Sequence, residues 1–148
     1  MLRSDYEGQI CSIARSLELV GERWTLLVIR DVFRGKRRFD EIQESLGIAR
    51  NVLTARLKTL TEEGILQRRL YQERPERYEY RLTQKGLDLY PVLLSLMEWG
   101  DRYKVEEPPV RLIHKACGEE AEPHLVCSHC SEPVGYFDLR AEYAPGAW

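Results

Sequence analysis

Two groups of residues in this 148-residue chain have types and spacings that can do chemistry. The first is basic and amide-bearing. At 100° per residue, Leu53, Leu57 and Leu60 share one face of a helix. Asn51, Ala55 and Lys58 point the other way, with Arg50 and Thr54 at the leading flank. A guanidinium matches the major-groove edge of guanine, an asparagine amide matches adenine, and small side chains permit close approach. Lys58 suits a phosphate. Arg74 and Arg77 surround Pro75 in a stiffened loop and could clamp phosphate, with Glu73 and Glu76 diluting their charge. Arg37 and Arg38 lead into another short helix, where side chains and backbone N–H groups can meet phosphate. An ordinary solvated helix face with surface ion pairs explains the same residues.

The second group is sulfur and imidazole. His114-Lys115-Ala116-Cys117 and Cys127-Ser128-His129-Cys130 are two pairs, each with two residues between its members. Each such pair closes a turn, and four ligands complete a tetrahedral zinc site. Gly118 after the first pair permits the tight turn, whereas Ser131 follows the second. Cys117, Cys127 and Cys130 are the firm ligands. His114 is the expected fourth, and His124 or His129 could replace it. All positions are filled and no general base is near, so the zinc would be structural. The other reading is a ribbon that keeps its shape without metal. Cys11 stands apart, at the start of an expected helix with Arg15 one turn on. That setting favours thiolate chemistry and redox sensing; a buried, inert cysteine is the plainer reading.

Elements must hold these groups in place. Ser12–Val20 carries Ile13, Leu17 and Val20 on one helical face, and Gly21 stops it. Trp24–Phe33 is apolar on nearly all sides and is expected to be the central buried helix. Phe39–Leu46 turns Phe39, Ile42 and Leu46 inward before Gly47, and Asn51–Glu63 ends at Gly64. The period then changes. Ile65–Tyr71 and Arg77–Leu82 read as strands around a turn at Glu73–Glu76. Thr83 caps a long helix toward Lys104, in which Pro91 is expected to cause a kink or a split.

Two short helices joined at Gly47 and followed by a hairpin have the order of a winged helix-turn-helix. The fold class is therefore mainly α with a small β-wing, plus a small zinc-ribbon-like C-terminal tail. Glu106-Glu107-Pro108-Pro109 marks the boundary, dividing the chain into 8–105 and 110–148. The tail is too small to build a core without a staple.

Composition bounds the rest. Apolar residues make up 43% and charged residues 31%, the profile of a packed, soluble protein. The net charge of -2 argues against a strong polyanion binder, but it hides a partition. Residues 1–104 hold 19 basic against 16 acidic residues, and 105–148 hold 3 against 8. Residues 34–58 alone hold 7 basic and 3 acidic, enough to steer toward phosphate. Apolar runs such as Leu26–Ile29 are too short to span a membrane, and Met1–Tyr6 is no secretory signal. A cytoplasmic protein without membrane contact is expected. A thiol or zinc enzyme is not: there is no paired His/Asp triad, no phosphate-cradling glycine loop and no open metal position.

Several stretches carry a specific likeness. They are Cys11-Ser12-Ile13-Ala14-Arg15, Trp24-Thr25-Leu26-Leu27, Arg30-Asp31, Arg38-Phe39-Asp40-Glu41-Ile42 and Val52-Leu53-Thr54-Ala55-Arg56-Leu57. Further on come Glu62-Glu63-Gly64-Ile65-Leu66, Tyr78-Glu79-Tyr80-Arg81-Leu82-Thr83-Gln84-Lys85-Gly86 and Trp99-Gly100. In these the chain resembles the HxlR family of winged-helix regulators, relatives of MarR, over residues 10–103. Ser12 stands where that family usually has proline. Ala49 stands where it often has serine or threonine, which removes a helix cap.

The resemblance implies a homodimer that binds double-stranded DNA at a pseudo-palindromic operator and usually represses transcription. It would read the operator through helix 50–63 and the wing at 73–77. It also implies an effector, a small molecule or an oxidant acting through Cys11. The last helix supports a dimer independently. Leu87, Tyr90, Leu94 and Met97 form one stripe and Leu89, Leu93 and Leu96 another, more than one small core needs. A helix sandwiched between core and tail is the alternative for that feature. For the whole chain, the alternative is a winged-helix plus zinc-ribbon module that binds proteins of the transcription machinery.

Overall fold

The computed structural model describes residues 6–8 and 10–147. The chain divides into two compact units, one up to Leu93 and one from Leu94 onward. The first opens with four helices, α1 (Ser12–Val20), α2 (Thr25–Phe33), α3 (Phe39–Leu46) and α4 (Arg50–Glu62). Strands β1 (Leu66–Glu73) and β2 (Glu76–Leu82) form one antiparallel hairpin, and the short helix α5 (Gln84–Leu87) follows. Helix α6 (Tyr90–Tyr103) runs on past the unit boundary. The protein is thus mainly helical with a small two-stranded sheet, the plan of a winged helix-turn-helix.

The helical spacing of apolar residues builds the core. Val28, Ile29 and Val32 of α2, Ile42 of α3, and Leu53, Leu57 and Leu60 of α4 are buried together with Ile48, Ile65 and Leu66. Each such side chain contributes about 1.5–3 kcal/mol on burial. Helices this short are marginal alone, so this cluster holds them. The predicted central helix α2 also contains a fully buried carboxylate that the apolar pattern does not reveal. Oδ1 of Asp31 accepts from Nε and Nη2 of Arg30 at 3.0 and 2.8 Å.

Helix α1 departs from expectation. Of its apolar face only Val20 is buried; Ile13 is 69% and Leu17 42% exposed. The helical period is present, but nothing in the single chain covers it. The predicted long C-terminal helix is split, as the proline suggested. Thr83 caps α5 by accepting from the Gly86 N–H at 3.2 Å, and α6 begins one residue before Pro91. Leu89 and Leu93 pack against the core, while Leu87, Tyr90 and Leu96 are exposed.

The hairpin is longer than its sequence suggests. Pairing runs from Leu66↔Leu82 out to Glu73↔Glu76, with an irregularity between Leu70 and Gln72 that leaves Tyr71 as an extra residue. The turn shrinks to Arg74-Pro75, because the ladder continues through residues whose side chains are all solvated. A third segment joins the wing. Arg38 bridges Glu79, and the Tyr80 N–H donates to the Arg37 carbonyl at 2.7 Å.

In the second unit, the chain beyond α6 forms two small turns marked by the isolated bridges Ile113↔Glu120 and Val126↔Pro133. No side chain described from residue 94 to 147 is fully buried. Among the described residues, no helix is long and apolar enough to cross a membrane.

Candidate functional site

Gly47 adopts a left-handed conformation, φ 62°, which ends α3 and turns the chain into α4. Buried Ile48 pins the turn. Helix α4 then lies with Leu53, Leu57 and Leu60 inward, which leaves Arg50, Asn51, Thr54, Ala55 and Lys58 exposed. No side chain caps α4 at Ala49 and no acid occupies its first turn, as the missing serine or threonine implied. The positive end of the helix therefore faces solvent beside Arg50 and Asn51.

Neighbours steady several of these groups. The Arg50 guanidinium lies over the Phe39 ring, 4.9 Å from its centre. The Thr54 hydroxyl donates to the Arg50 carbonyl at 2.8 Å, and its oxygen can still accept. Lys58 stands 3.8 Å from Glu62, an exposed pair of little energy that a phosphate can displace. A shallow groove of about 490 Å³ runs beside the helix, lined by Phe39, Arg50, Thr54, Lys58, Arg68 and Tyr80.

Arg68 is a cation that the sequence reading missed. The available signal was the period of two, which puts it on the same side of β1 as buried Leu66. Its guanidinium sits 4.0 Å from the centre of the Tyr78 ring. Arg56, by contrast, turns away from the exposed face and reaches Glu22, with Nε 3.7 Å from the carboxylate.

At the start of α3 the structure divides an expectation. The side chains of Arg37 and Arg38 are exposed, and Arg38 lies 4.6 Å over Tyr71. Their backbone N–H groups are already engaged, because both donate to the Glu41 carboxylate at 3.0 Å. Those two bonds, the one from Arg38 foremost, hold the Glu41 carboxyl below the usual carboxylate range. Only the side chains remain for phosphate there. At the wing tip, Arg74 and Arg77 are both exposed, and the Gln72 amide donates to the Arg74 carbonyl at 3.2 Å. The Glu76 carboxylate accepts from the Tyr78 hydroxyl at 3.0 Å.

A family model described as HxlR-like helix-turn-helix matches residues 19–108. The chain belongs to the HxlR-like helix-turn-helix family. It is 48% identical over 143 residues to the uncharacterised HTH-type transcriptional regulator Rv3095 of Mycobacterium tuberculosis, covering 95% of this chain and 89% of that one. The crystal structure of PA1607, a candidate transcription factor, superposes with a TM-score of 0.80 at 36% identity, over 91% of this chain and 96% of that one. The redox regulator HypR in its oxidised form gives a TM-score of 0.59 at 31% identity, over 64% of this chain and 99% of that one. This HxlR-like chain is a DNA-binding transcriptional regulator, and the fold places α4 where such a protein carries its groove-reading helix.

Two other sets of residues lie apart from that face. Cys11 is the N-cap residue of α1 and is half-buried. In the tail, Nδ1 of His114 stands 3.4 Å from Sγ of Cys117. The backbone N–H groups of Cys130 and His129, and the Cys130 thiol, hold the Cys127 thiol below its ordinary range. Among the described residues, no three metal-ligating side chains are gathered at one point. The two pairs exist, but they are not brought together.

Proposed function

We propose that the chain works as a homodimeric repressor that reads a pseudo-palindromic operator. The exposed side of α4 enters the major groove, and the wing around Arg74 and Arg77 holds flanking phosphates. The observation that carries this is the division of α4: three leucines are fully buried, and all five groove-compatible residues on the opposite side are in solvent. The uncovered apolar residues of α1, Ile13 and Leu17, together with Leu96 and Trp99 of α6, supply surface that a second copy can cover. A two-fold pair would place its two reading helices about one turn of DNA apart, 10–10.5 base pairs.

Selection of bound DNA from a random pool tests this. Enrichment of two inverted half-sites about one turn apart, with a species of twice the chain mass in solution, is the expected result. A monomer, or a pool that enriches no sequence, overturns it. Salt dependence separates this reading from a protein-binding module, because affinity for DNA falls steeply as salt rises.

Two further parts belong to the same proposal. The tail is a zinc-ribbon-like extension whose metal is structural. Its excess of acidic residues keeps it off DNA. An effector relieves DNA binding, and for an oxidant the residue is Cys11, at the N-cap of α1 and partly open to solvent. An oxidant that leaves operator affinity intact removes the Cys11 role.

A further inference from the structure

The tail contains a structural repeat that its sequence does not announce. In the first turn the Gly118 N–H donates to the His114 carbonyl at 2.8 Å, and in the second the Ser131 N–H donates to the Cys127 carbonyl at 2.7 Å. The N–H of His114 reaches the Glu119 carbonyl, and the N–H of Cys127 reaches the Glu132 carbonyl, both at 2.9 Å. Ala121 closes back on Leu112 at 2.7 Å, and Val134 closes on Leu125 at 2.8 Å. The bridges Ile113↔Glu120 and Val126↔Pro133 complete the match. Every equivalence is the same step along the chain, from 114 to 127 and from 117 to 130. Gly118 and Ser131 take the same left-handed backbone, φ 76° and 61°, although a serine rarely does so.

We propose that this repeat is a two-part zinc site with a Cys₃His ligand set, in which His114 is the fourth ligand and binds through Nδ1. The proposal rests on the zinc-ribbon reading of the tail and adds which histidine completes it. His114 occupies the place that Cys127 holds in the second turn, at the first ligand position. His129 occupies the place of Ala116, inside a turn and between two ligand positions. His124 lies outside both turns and lines a groove of about 420 Å³ with Leu94, Met97 and Arg102.

Two observations point to a metal rather than to a mere turn. With Zn–S about 2.3 Å and Zn–N about 2.0–2.1 Å, two ligands of a tetrahedron stand about 3.5 Å apart. The His114 Nδ1 to Cys117 Sγ distance is 3.4 Å, so this pair is already at that spacing. The tail also has nothing else to hold it: from residue 108 to 147 no side chain is buried, and Ile113, Leu125 and Val126 are 51%, 70% and 55% exposed. A segment with no core needs a staple, and one ion shared by both turns supplies it. Binding would draw the two halves together. It would release protons from the thiols that ligate as thiolates and leave no open coordination position.

The test uses the full-length chain, reduced and stripped of metal, titrated with Co²⁺ and then with Zn²⁺. Wild type is expected to take one Co²⁺ per chain with the visible bands of a tetrahedral site, and Zn²⁺ should abolish them. His114→Ala should weaken Co²⁺ binding at least tenfold. His114→Cys should restore one-to-one binding and raise the thiolate-to-metal band by about a third, the step from three thiolates to four. His124→Ala and His129→Ala should bind as wild type. If no form binds the ion, the zinc-ribbon reading itself falls. If wild type binds one equivalent and His129→Ala or His124→Ala is the variant that loses it, the ribbon stands and the assignment of His114 is overturned.

Discussion

The Arg50 guanidinium rests 4.9 Å above the centre of the Phe39 ring, so the first residue of α4 is braced by the first residue of α3. Such a contact contributes about 0.5–1 kcal/mol at an exposed site. Its larger effect is to limit the directions in which a long side chain points before DNA arrives. Arg50→Ala and Asn51→Ala should each reduce discrimination between operator and random DNA by about 1–3 kcal/mol, with a smaller effect on random DNA. Phe39→Leu should produce a weaker form of the same defect. Competitive gel-shift titrations measure all three, and wild-type discrimination in the Arg50 and Asn51 variants would refute base reading by this face.

The wing should behave differently. Arg74 and Arg77 are solvated at the tip, and phosphates carry no sequence information. Arg77→Ala and Arg74→Ala should lower affinity for all DNA alike. Each should also flatten the slope of log affinity against log salt by about 1. A selective loss of operator binding would show instead that the wing reads bases.

Glu41 links the bracing helix to the pH of the medium. Its carboxylate accepts from the N–H groups of Arg37 and Arg38, and these bonds lower its titration from the ordinary value of 4.5. The sign follows from linkage: a carboxyl lowered in the folded state stabilises the fold above its ordinary range, and this is lost as pH falls through the folded value. Glu41→Gln should therefore cost about 0.3–1 kcal/mol near neutral pH. The gap from wild type should close in acid. Urea unfolding at a series of pH values measures it, and a gap that widens in acid would contradict the assignment.

Gly86 should tolerate no side chain. A Cβ there would meet the Ile65 carbonyl oxygen and stand 2.8 Å from Cδ2 of Leu82. The residue is buried in the short helix α5, where Thr83 caps it and also donates its hydroxyl to the Gly64 carbonyl. Gly86→Ala should destabilise the first unit by about 1–3 kcal/mol, read as a lowered thermal midpoint.

Removing the metal should affect one unit and spare the other. The first unit has a buried core of its own, whereas no described side chain from 94 to 147 is buried. Chelation should therefore open 108–147 to limited proteolysis while 10–93 stays resistant, and added Zn²⁺ should restore protection. Equal protection of the tail with and without metal would show that it stands without the ion.

Much of the first unit was legible because its signals are local. The 3.6 period of Leu53, Leu57 and Leu60 separates the buried and exposed sides of α4 before any coordinates are seen, and the glycines mark where helices end. The hairpin was legible in kind but not in extent, because its outer rungs carry no apolar alternation. The Arg38–Glu79 bridge joins residues far apart in the chain, and no local pattern encodes such a pairing.

Sequence alone thus determined the element order, the family, and which residues of α4 face outward, since periodicity and capping act within a few residues. Tertiary structure decided what depends on distant neighbours. It shows that the apolar face of α1 lies uncovered and that Asp31 is buried with Arg30. It gives Arg50 a ring to rest on, and shows that Glu41 has already taken the Arg37 and Arg38 N–H groups. It also made the two tail turns recognisable as one shape used twice, because backbone hydrogen bonds persist where side-chain identity changes from histidine to cysteine and from glycine to serine.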